Sequence, residues 1–321
     1  MKKIFVYLFL LNLLSTVAYA QSGNYANQWI DYSKTYYKIK VSREAIHRIP
    51  YSVLSANGFP SNSASYKLFY KGQEVAIQPS AADMGSNDYI EFYGEPNDGT
   101  FDTQLFKQPD WQLSPYKSLF TDTSSYYLMY DPTDLSNIRY QTMVNDLSGT
   151  LPAAETHFEY TYRSVINSTF YSGEPFGNLA GQPSHFSTWD NGEGFTGSAI
   201  GGAAPIKDYN IPINGIYTAE GGNAHIETRV MGNSNYFGIP DHHLQISLAN
   251  TIYKDTIYEG YENYKFNFNV PLSSFNQIGN TTITYRSVGD LAPTDYNQVA
   301  YIYVTYPHTY DFGLSQIFSF E

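Results

Sequence analysis

Hydrophobic and polar residues alternate along much of this chain, and a period of two predicts β-strands. The segment YYKIKV places Tyr37, Ile39 and Val41 on one strand face. DYIEFYG does the same with Ile90 and Phe92. The segments YKLFYKG, SSYYLMYD and THFEYTYRS follow the same pattern. We therefore expect the first half of the chain to consist mainly of strands.

One segment of the first half predicts a short helix. In IPYSVLSANGF, Pro50 fits the first helical turn, and Asn57-Gly58 fits a helix C-terminus. We expect a flexible lead-in over residues 21–35 and then a small β-rich domain with one or two short helices over residues 36–150. The turn-forming segment NDLSGTLPAA follows this domain and is the best candidate boundary.

The last third of the chain alternates most clearly. HIETRV places Ile226, Thr228 and Val230 on one face, and LQISL, KFNFNV, TTITYRS and VAYIYVTY alternate similarly. Short strands separated by turns indicate an antiparallel β-sandwich, here over residues 155–310. A long glycine-rich stretch, residues 172–204, precedes these strands, and its length is typical of a functional loop or a lid. The expected fold class is therefore mainly β.

The first twenty residues have the features of a secretory signal peptide. Lys2 and Lys3 form a basic start, Ile4–Leu14 is apolar, and the small-residue motif AYA ends at Ala20. The apolar run is shorter than the ~20 residues that span a bilayer. Cleavage after Ala20 would give a protein with no membrane span, located in the periplasm, on the outer-membrane surface or outside the cell.

Composition excludes several kinds of chemistry. The chain has no cysteine, so it has no cysteine nucleophile, thiolate zinc site, iron–sulfur cluster or disulfide of its own. Its formal charge of −12 becomes −14 once Lys2 and Lys3 are removed. An acidic chain without a basic cluster disfavours a nucleic-acid partner. Its 32 tyrosines suit strands, and tyrosine also stacks on sugars.

The densest acidic stretch is DYIEFYGEPNDGTFD, residues 88–102. If Gly99 is aligned with the glycine of an EF-hand loop, Leu105 occupies the position of the closing glutamate, so that motif fails. Another calcium geometry, using Glu95, Asp98 and Asp102, is the weaker hypothesis. The simpler interpretation is a half-buried strand followed by a tight turn at PNDG.

Other motifs give little support for catalysis, and no catalytic residue is predicted. A hydrolase that uses carboxylates near Asp98 would need opposed groups across a cleft, which sequence does not reveal. GEGFTG, residues 192–197, matches a dinucleotide fingerprint but neither follows an apolar strand nor opens a helix, so no cofactor is expected. His242 and His243 are interpreted as solvated turn residues rather than metal ligands.

Two aromatic loops are candidate binding surfaces. One contains Trp111, Tyr116 and Phe120, and the other contains Trp189. Such rings either form a platform for a sugar or pack between the two domains. Packing is favoured, because large aromatic side chains mostly supply core and interface area.

Several segments, taken together and in order, resemble a known family. They are YYKIKVSREAIHRIPYSVLSANGF, DYIEFYGEPNDGTFD, WQLSPYKSLFTDTSSYYLMY, SVINSTFYSGEP and VAYIYVTYPHTYDF. They resemble the N-terminal, non-catalytic region of secreted gingipain-type cysteine peptidases of the Bacteroidetes, which include sortase-like peptidases associated with type IX secretion. In that family a peptidase domain with a catalytic His and Cys follows. The resemblance implies that residues 311–321 begin a further segment, missing here.

The resemblance also implies what the chain does and with which partners. Its second domain is similar to a galactose-binding-like jelly roll. The implied function is a non-catalytic region that supports or covers its own downstream peptidase domain, or that contacts cell-surface or secretion machinery. The alternative is a free-standing secreted protein that binds a glycan or another surface ligand.

Overall fold

The computed structural model describes residues 27–179, 182–237, 240–276 and 279–312. The signal peptide, its cleavage site at Ala20 and most of the segment 311–321 lie outside the described residues. The chain divides into two compact units. One comprises the residues up to Pro96 together with Thr123–Asp146, and the other comprises Asn97–Asp122 and the residues from Leu147 onward. Within the described ranges, no helix has the length and apolar character needed to cross a membrane.

The first unit contains two antiparallel sheets and one α-helix among its described residues. The larger sheet has the order β1 (Tyr37–Val41), β7 (Ser124–Tyr130), β3 (Tyr66–Tyr70) and β4 (Gln73–Val75). The smaller sheet has the order β2 (Ala45–Pro50), β6 (Tyr89–Gly94) and β5 (Gln78–Pro79). The helix α1 spans Tyr51–Ala56, and 3₁₀ helices lie at Asn27–Trp29 and Ser63–Ser65.

The alternation in the sequence accounts for the core of the first unit. Ile90 and Phe92 of β6 are fully buried, as the period of two predicts. They pack with Leu68, Tyr126 and Leu128 in one hydrophobic cluster. The helix prediction is also confirmed, because α1 begins directly after Pro50, and its C-terminus is followed by a glycine with φ +82°.

The second unit is built on two four-stranded antiparallel sheets. One has the order β13 (Ile206–Ile211), β18 (Thr281–Ser287), β15 (His242–Leu248) and β16 (Thr251–Tyr258). The other has the order β17 (Asn263–Pro271), β14 (Asn223–Gly232), β19 (Asn297–His308) and β8 (Phe158–Val165). Short strand pairs join β9 (Thr169–Tyr171) to β12 (Gly194–Thr196), and β10 (Asn178–Leu179) to β11 (Gln182–Pro183). Its 3₁₀ helices span Thr100–Leu105, Pro109–Trp111 and Leu272–Ser274.

A single large hydrophobic cluster joins these two sheets. Ile226 and Val230 of β14 pack with Leu244 and Ile246 of β15, and all four are at most 1% exposed. The predicted mainly β fold with an antiparallel sandwich in the second half is thus confirmed. Strand β19 is buried on both faces over most of its length, which is why its sequence reads as nearly continuous hydrophobic residues.

The tight turn predicted at PNDG is wrong. The backbone N–H of Asn97 donates to the carbonyl of Asp122 at 2.9 Å, and that of Gly99 donates to the carbonyl of Pro115 at 2.8 Å. The chain therefore pairs with a distant segment instead of closing on itself. A Cβ at Gly99 would lie 2.7 Å from the carbonyl oxygen of Ser114. Position 99 therefore needs a glycine, because the backbones of residues 99 and 114 approach closely.

Candidate functional site

One face of the sheet β17-β14-β19-β8 points away from the sandwich core and carries polar side chains. Successive residues of a strand point to opposite faces, so on β14 the residues that alternate with Ile226 and Val230 of the core are His225, Glu227 and Arg229. On β17 the corresponding residues are Asn263 and Lys265, which pair with Met231 and Arg229 across the ladder. We call this side of the sheet the outer face, and it carries the candidate site.

Residues 97–122, which we call the excursion, belong to the second unit and pack on part of the outer face. Leu113, which is 3% exposed, joins Met231, Tyr301 and Tyr303 in a small hydrophobic cluster. The ring of Tyr116 meets that of Tyr303 edge-on, with centroids 5.2 Å apart. The excursion is therefore part of the sandwich unit, although it is inserted in sequence between two strands of the first unit.

An open groove lies where the excursion meets the outer face. Its volume is about 450 Å³, which lies in the size range of small-molecule sites, about 300–1,000 Å³. Its walls come from the 3₁₀ helix Pro109–Trp111, the glycine-rich stretch, β14 and β17. The lining residues are Gln108, Asp110, Trp111, Asn191, Arg229, Glu262, Asn263 and Lys265.

Hydrogen bonds hold the walls of the groove together. The backbone N–H of Gly192 donates to the carbonyl of Trp111 at 2.9 Å. The side-chain amide of Asn263 donates to the carbonyl of Asp110 at 3.1 Å and to the side-chain oxygen of Asn191. Asn191 in turn donates to Glu262 Oε2 at 2.6 Å. Trp111 is therefore held beside the amides by contacts with two other segments.

Two cations lie in the groove in different settings. Arg229 is only 7% exposed, and its Nη2 donates to the carbonyl of Asp110. Its Nε has no hydrogen-bond partner in the described part of the chain. Lys265 is half exposed and lies 3.4 Å from Glu227 Oε1, which also accepts a hydrogen bond from Tyr301 Oη at 2.7 Å. Burial, and then this bond to Glu227, raise the pKa of Tyr301.

The acidic candidates from the sequence do not line this groove. Asp98 Oδ1 accepts the N–H of Thr100 at 3.0 Å. Asp102 is buried, and its Oδ2 accepts the N–H of Leu119 at 2.7 Å. Glu95 follows the end of β6 in the first unit, where its backbone N–H donates to Tyr126 Oη at 2.9 Å. Over residues 27–312, as far as they are described, no group of three acidic or histidine side chains is placed to share a metal ion.

The two candidate tryptophans have different surroundings. Trp111 lines the groove. Trp189 packs against Phe106 and Phe120, with ring centroids 5.7 Å and 6.1 Å away. All three rings of that cluster belong to the second unit. Trp111 is thus the aromatic candidate placed to contact a ligand in the groove.

The glycine-rich motif GEGFTG has a structural explanation. Gly192 has φ +70°, and a Cβ on it would lie 2.2 Å from Met231 Sδ. A Cβ on Gly197 would lie 2.5 Å from the hydroxyl of Tyr209. Residues 194–196 form β12. Gly192 allows close packing beside the groove, and Gly197 allows close packing against Tyr209.

The interpretation of the histidine pair as solvated turn residues is wrong. Both lie in β15, and His242 is fully buried, with its Nδ1 3.0 Å from Asp295 Oδ1. His243 lies between two carboxylates: its Nε2 is 2.6 Å from Asp255 Oδ1, and its Nδ1 is 2.7 Å from Asp290 Oδ1. Sequence did not reveal these contacts, because Asp290 and Asp295 lie far away in the chain and Asp255 becomes a neighbour only when β15 pairs with β16.

Sequence reasoning also missed Arg229, Asn191, Asn263 and Lys265 as members of one site. The available signal was the outward position of Arg229 and Lys265 on two predicted strands of the sandwich. What sequence did not supply was the register that pairs these two residues. Nor did it reveal that the excursion 97–122 closes one side of the groove.

Comparisons with solved structures relate the fold to a longer protein. The fold resembles part of dimeric latent PorU from Porphyromonas gingivalis, with a TM-score of 0.53 and 11% sequence identity. The match covers 86% of this chain and 24% of that chain, so this chain spans about a quarter of PorU. This likeness supports a broad relation in fold.

A weaker similarity involves the CBM36-1 domain of a multidomain xylanase from the hindgut metagenome of Trinervitermes trinervoides. It has a TM-score of 0.26 and 17% identity, and it covers 46% of this chain and 95% of that domain. No family model and no curated protein match the sequence. Without a cysteine, this chain is not itself a cysteine peptidase.

Proposed function

We propose that this chain is the non-catalytic N-terminal accessory region of a secreted gingipain-type cysteine peptidase. Its two β-rich units would support or cover the peptidase domain. The observation that carries the proposal is the match of 86% of this chain to 24% of PorU. Almost the whole chain then corresponds to one part of a much longer protein. The ordered segments that resemble gingipain-type peptidases support the same assignment.

The proposal implies partners and a location. The signal peptide ending at Ala20 would direct the protein to the periplasm, the outer-membrane surface or the medium. The partner would be the downstream peptidase domain, or else cell-surface or secretion machinery. Peptide hydrolysis would use a His and a Cys of that domain, because this chain supplies no thiol nucleophile.

The native polypeptide tests this proposal. Antibodies raised against purified residues 21–321 would isolate the protein from its source organism, and mass spectrometry would identify its peptides. We expect peptides of a His- and Cys-containing peptidase domain, in the same polypeptide or in a stoichiometric complex. A product that ends near Glu321 and carries no peptidase would overturn the proposal. Purified residues 21–321 should leave peptide substrates uncleaved.

The groove favours a second candidate function, that of a free-standing secreted carbohydrate-binding protein. An aromatic ring beside amide and charged groups, in a cavity of about 450 Å³, suits a sugar with many hydroxyl groups. Glycan-array binding that is lost on Trp111→Ala would support it. Trp189→Ala is the matched control, because Trp189 packs in a separate aromatic cluster. Equal loss in both variants would count against the groove.

A further inference from the structure

Arg229 is the least expected residue of the groove. Its side chain is 93% removed from solvent, since it is 7% exposed. A guanidinium that leaves water normally gains a carboxylate partner, because an unpaired buried charge is costly. No described carboxylate lies within 4.0 Å of Arg229. Its hydrogen bond goes to the main-chain carbonyl of Asp110, and its Nε has no partner among the described residues.

From this geometry we infer that the groove binds an acidic sugar, a hexuronate unit, with its carboxylate near Arg229. This inference rests on the second candidate function and names its ligand class. Arginine is the side chain best suited to carboxylates, because its planar fork matches their geometry. Lys265 supplies a second cation on β17, directly across the ladder from Arg229.

The remaining lining favours a sugar over a simple anion. Trp111 offers a ring face, and the amide of Gln108 and the side-chain oxygen of Asn263 offer a donor and acceptors. Such amides match hydroxyl groups, which both donate and accept. The volume of about 450 Å³ has room for more than an isolated carboxylate.

The charge of the groove disfavours a ligand with many negative charges. Two cations, Arg229 and Lys265, are accompanied by the carboxylates of Asp110 and Glu262, and Glu227 lies 3.4 Å from Lys265. A polyanion such as a nucleic acid would meet these carboxylates and a chain of charge −12. A ligand with one carboxylate and several hydroxyl groups meets much less of that repulsion.

Calorimetry with residues 21–321 tests the inference, with D-glucuronate as the probe and D-glucose as its neutral match. We expect glucuronate to bind at least tenfold more tightly than glucose. Arg229→Gln and Trp111→Ala should each weaken glucuronate binding at least tenfold. Arg286→Gln should leave it unchanged, because Arg286 is an exposed arginine on β18, in the other sheet.

A second variant and additional ligands complete the binding experiment. If circular dichroism shows that Arg229→Gln is unfolded, Lys265→Gln is used instead, because Lys265 is half exposed. We then expect glucuronate binding to weaken severalfold. Equal binding of glucose and glucuronate would overturn the acidic-sugar inference and leave the carbohydrate-binding candidate intact. Tighter binding of triglycine, which has a free carboxylate, or no binding of glucuronate, would also overturn it. These binding results do not bear on the size of the native polypeptide. The proposal of a peptidase accessory region is therefore tested independently of the ligand.

Discussion

Gly192 belongs to a motif that resembles a dinucleotide fingerprint, but backbone conformation and packing explain the glycine at this position. Its φ of +70° is strained for residues with a side chain, and a Cβ would approach Met231 Sδ to 2.2 Å. We expect Gly192→Ala to lose about 1–2 kcal/mol from the left-handed backbone and a further 1–3 kcal/mol, roughly, from overpacking. Urea denaturation measures the loss.

A matched glycine separates these two contributions. Gly221 has nearly the same φ, +69°, but a Cβ there would meet nothing within 4 Å. Gly221→Ala should therefore lose only the backbone part, about 1–2 kcal/mol. If the two variants are equally destabilised, Met231 does not restrict position 192, and the packing explanation of GEGFTG is wrong.

His243 should make stability depend on pH. Partial burial lowers its pKa, but the hydrogen bonds and charges of Asp290 and Asp255 outweigh burial and raise the pKa above 6.5. A raised pKa in the folded state stabilises the protein below the unfolded value of 6.5, and this stabilisation is lost as pH rises through the folded value.

The measurement compares wild type with His243→Gln by denaturation at pH 5.5 and pH 9. We expect wild type to be the more stable protein at pH 5.5, with the difference shrinking at pH 9. Nearby Gln245, which donates to Asp255 Oδ2 at 3.2 Å, is present in both proteins and does not titrate. A difference that is the same at both pH values would show that protonated His243 does not bind its two aspartates.

At the scale of elements, the excursion 97–122 depends on a small number of buried contacts. Leu113 is 3% exposed and packs with Tyr301 and Tyr303, whereas Leu105 of the same excursion is 38% exposed. We expect Leu113→Ala to lose about 2–5 kcal/mol and Leu105→Ala less than about 0.5 kcal/mol. Trp111 lies two residues before Leu113, so Leu113→Ala should also weaken any ligand binding in the groove.

Limited proteolysis checks the same prediction locally. In Leu113→Ala the excursion should be cut sooner than in wild type, while Leu105→Ala should behave like wild type. Equal cutting of all three proteins would mean that Leu113 does not anchor the excursion.

At the scale of the whole molecule, each unit has its own hydrophobic core. Leu68 is fully buried in the cluster of the first unit, and Ile246 in that of the second. Because a domain with its own core can unfold by itself, we expect two thermal transitions. Leu68→Ala and Ile246→Ala should each lose about 2–5 kcal/mol and lower different transitions. If both substitutions lower one shared transition, the units unfold together.

The strands and the helix were the parts of the fold that sequence predicted well. Their signal is local: alternation in β6 and β14 marks the buried face, and Pro50 and Gly58 mark the ends of α1. The groove was harder to predict. Trp111 was named as a binding candidate, but the sequence did not select it over Trp189, because both are aromatic residues in irregular loops. Arg229 was not named, because its burial depends on a segment more than a hundred residues away.

The sequence by itself determined the class of the protein and the chemistry it lacks. Alternation specifies strands because a pleated backbone sends successive side chains to opposite faces, and the absence of cysteine excludes thiol catalysis. Only the tertiary structure decided that residues 97–122 leave the first unit and close one side of a groove on the second. It also decided that a buried arginine lies beside Trp111. These features depend on strand register and long-range packing, which arise from contacts between residues far apart in the chain.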